Sequence, residues 1–159
     1  MAILRKERIY FDSSVIGGYY DPEFADDSRR VIEYARNKRI TVLISEVVVQ
    51  EILNAPTHVQ DVLFSIPSDT LERIELTTEI LSLRDAYLSA DIVSPRWSDD
   101  ATHVAAATVA RADAIVSWNF RHIVRLDKMR AYNQINLANG YGILTIISPK
   151  EVNYDEPTE

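Results

Sequence analysis

The chain has 159 residues, of which 47% are hydrophobic and 26% charged, with a formal net charge of −7; this suits one globular domain with a proper core. The absence of cysteine excludes disulfides and thiolate metal sites, and the acidic balance argues against binding nucleic acid through a uniformly basic surface. No apolar run approaches the ~20 residues that span a bilayer, and the charged start MAILRKER lacks the apolar segment of a signal peptide, so a cytoplasmic protein with no membrane partner is expected.

Residues 8–11 (RIYF) are a strand candidate ending at Asp12. The following SSVIGGYYDPEF contains Gly17, Gly18 and Pro22 and reads as an irregular loop or broken helical turn. A helix is expected from Asp27 or Ser28 to about Lys38, with Val31, Ile32 and Ala35 inward. Residues 40–45 (ITVLIS) are nearly all apolar, as in a strand buried on both faces. Ser45 is expected to cap the helix EVVVQEILNA, which Pro56 stops. A further helix covers 57–65. Residues 71–76 (LERIEL) alternate apolar and charged side chains, which suits a strand near a sheet edge, and 78–90 form a helix. Ser98 is expected to cap a helix starting at Asp99, whose inner positions include the small residues Ala101, Ala105 and Ala112 that allow close packing on a sheet. Residues 114–117 (AIVS) are the next strand, 120–139 are expected to be largely helical, and 143–147 (ILTII) are the last strand before a turn at Ser148-Pro149. Residues 1–152 are expected to form the single domain and 153–159 a mobile acidic tail.

Strands alternating with helical crossovers predict an α/β domain with a parallel sheet, in which sites form outside the carboxyl ends of the strands. Asp12 ends the first strand, Asn119 follows the fourth, and Glu51 lies in the helix leaving the second. Asp100 starts a crossover helix, so it belongs at the same edge, whereas Asp113 immediately precedes a strand and belongs at the other. Glu51 falls three residues after Val48 on an apolar helix face, where a carboxylate is costly unless paired or bound to a cation. Each acid also has a structural reading: Asp12 as a turn residue, Asp99 and Asp100 as first-turn complements of a helix dipole. An oxygen-rich set without cysteine suits Mg²⁺ or Mn²⁺. His103 is expected to pack on the inner helix face.

The segments YFDSS around Asp12, SEVVVQEI around Glu51, DATHVAAA from Asp100 and ADAIVSWNF containing Asn119, in that order, resemble the PIN-domain nucleases, and within them the small VapC-type toxin ribonucleases. The resemblance implies a three-layer α/β/α sandwich with a mainly parallel central sheet. It implies Asp12, Glu51 and Asp100 as metal-holding acids, with Ser14 and Ser117 as supporting polar groups. Asn119 is the departure, since many family members carry an acid there and an amide is a weaker ligand for a hard cation. The reading is then a metal-dependent endoribonuclease, the toxin of a toxin–antitoxin pair with an antitoxin partner, assembled as a homodimer. RNA contacts are expected from Arg121, His122, Arg125 and Lys128, with Arg29, Arg30, Arg36, Lys38 and Arg39 as a second basic set more simply read as a solvated face. The alternative is a catalytically weakened module of the same fold that binds RNA or a protein partner. A phosphatase using Asp12 as nucleophile is set aside, because its second acid would fall where Ser14 stands.

Overall fold

The computed structural model describes residues 5–155. Five parallel strands form one sheet in the order β3-β2-β1-β4-β5: β1 (Arg8–Phe11), β2 (Thr41–Ser45), β3 (Leu71–Ile74), β4 (Ala114–Val116) and β5 (Thr145–Ile147). The helices are α1 (Ser13–Gly17), α2 (Ala25–Arg36), α3 (Glu46–Leu53), α4 (Thr57–Phe64), α5 (Thr78–Ser89), α6 (Ser98–Val109) and α7 (Leu126–Ala138). The chain moves outward from β1 to β3, then crosses back to β4 and on to β5. Right-handed crossovers therefore put α1–α4 on one face and α5–α7 on the other, giving three layers. The alternating segment 71–76 supplies the edge strand β3, which ends at Ile74.

The core follows the sequence pattern. Tyr10, Phe11, Val42, Leu43, Ile115 and Val116 of the three inner strands are all fully buried, as strands covered on both faces must be. Helix α6 is buried on nearly every side from Ala101 to Thr108, because four alanines let it lie between the sheet and α5.

Four local expectations need correction. Ser98 does not cap α6; it is the first helical residue, continuing a 3₁₀ turn at Pro95–Trp97 whose Pro95 carbonyl already accepts its amide. Ser45 makes no cap bond either; its hydroxyl turns inward to the Tyr10 hydroxyl at 2.7 Å, since a buried phenol needs a partner. The helix expected from 120 begins only at Leu126. Before it, the Asn119 side-chain oxygen accepts from the amides of Arg121 at 3.1 Å and His122 at 2.9 Å, a local turn that competes with helix formation. Of the tail expected at 153–159, residues 153–155 pack on α2: the Tyr154 amide donates to the Tyr34 hydroxyl at 3.0 Å and its ring lies edge-on to Tyr34. Residues 156–159 lie outside the described residues.

The broken turn after β1 holds one demanding glycine. A Cβ on Gly18 would stand 2.5 Å from Ser28 Oγ and 2.9 Å from Trp118 Nε1, closer than side chains approach. That space is taken by the hydrogen bond from Trp118 Nε1 to Ser28 Oγ, 2.8 Å, which seats the loop after β4 against α2.

Candidate functional site

The chain turns one way after β1 and the other way after β4, although the two strands are neighbours. This is the switch point at which open α/β sheets form crevices, and the loops that meet there carry Asp12 and Ser117–Asn119. Asp12, 4% exposed, caps α1 by accepting the Ser14 amide at 3.1 Å. Its Oδ1 also accepts the Ser14 hydroxyl at 2.6 Å and its Oδ2 the Ser117 hydroxyl at 2.5 Å. Each serine oxygen accepts in turn a backbone amide of the β4 loop, Ser14 from Trp118 and Ser117 from Asn119, both at 2.9 Å. Two hydroxyls therefore clamp one carboxylate, and both of the sequence-predicted serines take part.

Glu51 is not the core-facing acid that its helix position suggested. Its side chain is 39% exposed and reaches back to His103 Nε2 at 2.8 Å. An imidazole rather than a buried arginine meets it. His103, 2% exposed, is held at its other nitrogen by the Tyr10 hydroxyl at 2.7 Å, and Tyr10 by Ser45 at 2.7 Å. This relay, buried from Ser45 to His103 and open at Glu51, fixes the ring of a histidine whose place on an apolar helix face suggests only packing. Burial pulls the His103 pKa down, but the bond to Glu51 and the charges of Asp12, Glu51 and Asp100 outweigh it and leave it raised.

Asp100 opens α6 beside these groups. Burial pushes its carboxyl up to about 6; His103 and the Asn119 amide oppose the shift, while Asp12 and Glu51 add to it. Asp12 is raised as well, first by burial and then by Glu51, against His103 and the two serine hydroxyls. Among the described residues neither Asp12 nor Asp100 has an arginine or lysine within ion-pair distance. The three acids thus share one field of negative charge. Among the described residues no three His, Asp or Glu side chains are grouped to hold one ion as they now point, since Glu51 is turned to His103 and Asp12 to its serines. Their donor chemistry, carboxylate oxygen throughout, still fits a hard divalent cation.

A cleft of about 470 Å³ opens over Glu51, Asp99, Asp100 and Asn119, with Arg96, Trp97, Arg121 and His122 completing its lining. A larger cavity of about 770 Å³ lies at the opposite sheet edge by Glu79, Arg111 and Tyr141; it gathers no comparable set of acids, so chemistry rather than size selects the smaller one. Of the predicted RNA-contacting residues, Arg121 and His122 reach this cleft and two do not. Arg125 is bound at both nitrogens by Asp127, 2.6 Å each, and the Lys128 ammonium donates to the Ile92 carbonyl. Arg96 and Trp97 line the cleft although nothing in their spacing singled them out; only their place three or four residues before Asp100 hinted at it. The second basic set is consumed locally, for example Arg36 by Glu33 and Lys38 by Asp69, 2.7 Å each.

A parallel sheet ordered in this way, with acids gathered at the switch point, defines a class that the family comparison states directly. A sequence model of the PIN domain matches residues 8–121, and the chain belongs to the PIN domain family. No curated protein matches the sequence. The fold is similar to that of VapBC2 from Rickettsia felis, solved with a DNA fragment from its promoter, at 15% identity and a TM-score of 0.55, covering 89% of this chain and 98% of that one. FitAcB from Neisseria gonorrhoeae aligns at 10% identity and a TM-score of 0.55 over 91% and 99% of the two chains. A toxin–antitoxin complex from Klebsiella pneumoniae aligns at 15% identity and a TM-score of 0.53 over 72% and 88%. At these identities the likeness is one of fold. Among the described residues no helix is long and apolar enough to cross a membrane.

Proposed function

We propose that the chain is a divalent-metal-dependent endoribonuclease and the toxin of a toxin–antitoxin pair. The observation that carries this reading is Asp100, held up to about 6 by burial with Asp12 and Glu51 adding to the shift, in a chain of the PIN domain family. Asp12, Glu51 and Asp100 would hold Mg²⁺ or Mn²⁺, Ser14 and Ser117 orient Asp12, and His103 orients Glu51. These residues would thereby give a bound cation the place from which it would lower the pKa of a water and offset charge on the phosphate. The acids supply ligands and no covalent intermediate, and Arg121 and His122 meet the RNA strand. Asn119 contributes little to ion binding in this reading, because its side-chain oxygen already serves two backbone amides. That engagement favours the second reading, a weakened module that binds RNA or a protein partner.

A labelled single-stranded RNA incubated with the protein across a Mn²⁺ series decides between them. Cleavage that a chelator and Asp100→Asn both abolish is expected; binding without cleavage at any ion concentration would leave the weakened module. The fold likeness to toxin–antitoxin complexes supports an antitoxin encoded in the adjacent open reading frame, whose co-expression should relieve growth arrest caused by this chain. A homodimer through the helices between Pro56 and Ala90 has support in Phe64, 66% exposed on α4. Sedimentation yielding only an 18.1 kDa species at high concentration would count against it.

A further inference from the structure

The cleft over the acids has a second wall of different chemistry. Trp97 closes the 3₁₀ turn that leads into α6, three residues before Asp100, and His122 follows Asn119 by three. Their rings stack with centroids 4.8 Å apart and planes 28° from parallel. The guanidinium carbons of Arg96 and Arg121 lie 5.0 and 5.9 Å from the centre of the Trp97 ring. Both arginines are exposed, and among the described residues neither has a carboxylate partner. Two aromatic rings and two unpaired guanidinium groups thus face the cleft that contains Glu51 and Asp100.

This wall is held firmly. The His122 amide donates to the Asn119 side chain at 2.9 Å, and its carbonyl accepts the hydroxyl of the fully buried Tyr132 at 2.9 Å. Burial, with Arg121, Lys128 and Arg125 nearby, keeps the His122 pKa below its ordinary value. Its Nε2 is shielded from solvent and has no hydrogen-bond partner. A buried polar atom of that kind calls for an explanation, and here it sits in a stacked pair beside the site.

We propose that Trp97 and His122 form a nucleobase subsite for single-stranded RNA, with Arg96 and Arg121 meeting the adjoining phosphates. The subsite rests on the ribonuclease reading of the neighbouring acids. Every base has a π-face, so stacking tolerates sequence, while phosphate contacts position the strand without reading it. Only an unpaired base can reach such a platform, because in a duplex the faces are already stacked. The subsite therefore selects for strand state rather than sequence.

The test is binding of a labelled eight-nucleotide single-stranded RNA to the full chain in chelator, which separates binding from cleavage. The same strand with abasic positions and the matching duplex serve as comparators. Trp97→Leu is expected to weaken binding about tenfold or more without changing the salt dependence, and to erase the preference for the intact strand over the abasic one. Trp97→Phe should recover most of the affinity, which a loss caused by misfolding would not allow. Arg121→Gln should instead lower the slope of log affinity against log salt by about one. Equal binding of intact and abasic strands, no loss in Trp97→Leu, no recovery in Trp97→Phe, or no binding of the single strand by the wild type would each overturn the subsite. Base-dependent binding without cleavage in Mn²⁺ would uphold it while removing the nuclease reading; cleavage without base dependence would do the reverse.

Discussion

At the amino edge of the sheet, Asp113 receives Arg5 at 2.6 Å and the backbone amide of Arg8 at 2.7 Å. Arg8 then grips both oxygens of Glu72, 2.8 Å each. At the carboxyl edge, Asp12 and Asp100 have hydroxyl, amide and imidazole neighbours but no arginine or lysine partner among the described residues. The same side chain is a finished ion pair at one end of the strands and an unbalanced charge at the other. Position on the sheet separates ion-paired acids from unpaired ones, and the count of acids does not.

The largest effect is expected from Asp100→Asn, which removes an unbalanced charge. RNA cleavage should fall by at least about a hundredfold with the loss of an ion-holding oxygen, while the ion-free protein melts higher. A variant that keeps its cleavage rate would place the chemistry elsewhere. Next comes Tyr10→Phe, which deletes the hydroxyl between Ser45 and His103 and leaves a buried imidazole nitrogen unpaired. A cost of roughly 1–3 kcal/mol in stability and about 10–100-fold in Mn²⁺ affinity is expected from melting curves and calorimetry. Unchanged affinity would mean that the relay only fills the core.

Asn119→Asp has a smaller and two-sided expectation. One oxygen still serves the amides of Arg121 and His122, while the other adds charge facing Asp100. Mn²⁺ should bind several-fold more tightly as anionic oxygens are added, and the ion-free protein should melt lower. If neither quantity moves, Asn119 is only a turn residue.

The pH dependence has a definite sign. Asp100 keeps its proton up to about pH 6 when folded and loses it near pH ~4 when unfolded. Between those values the folded state binds more protons, so stability falls as pH rises. His103, with its pKa raised, acts in the same direction: its contribution is full below its unfolded value and is lost as pH rises through the folded one. Ion-free melting temperatures should therefore decline from pH 4 toward neutrality, and Asp100→Asn should flatten the lower part of that decline. A profile that rises over this window would contradict the shared negative field. Smallest of all, Asp113→Asn should leave cleavage within about twofold and cost roughly 0–1 kcal/mol, as for a partly exposed pair; a larger loss of activity would show that the two edges are coupled.

The alternation of strands and helices made the sheet edges legible, and with them Asp12, Asp100 and the contrasting position of Asp113. Ser14 is legible only through the resemblance of its segment, whereas Ser117 also stands out as a polar residue at the end of an apolar strand. His103 looks like packing in the sequence because a histidine on an apolar helix face carries no sign of its partners. Those partners, Glu51 and Tyr10, lie 52 and 93 residues away in sequence, and only the parallel sheet brings them together. The sequence does not mark Trp97 for a similar reason, since its stacking on His122 depends on two loops meeting. The late start of α7 was hidden in Asn119, whose side chain captures two amides that a helical reading assigns elsewhere.

The clamp on Asp12 also bears on when the site comes into being. One of its serines is two residues away and the other 105, and β1, the central strand, must wait for β4 on one flank. During synthesis at roughly 5–20 residues per second, β1 and β2 emerge with their helices long before Ser117 exists. Long-range pairing of this kind is slow to form. A shortened product ending before β4 would hold Asp12 with one hydroxyl and Asp100 with no neighbouring loop, and so could not assemble the site. The clamp is withheld until Ser117 has been made, and a host that degrades products shorter than this meets them without it.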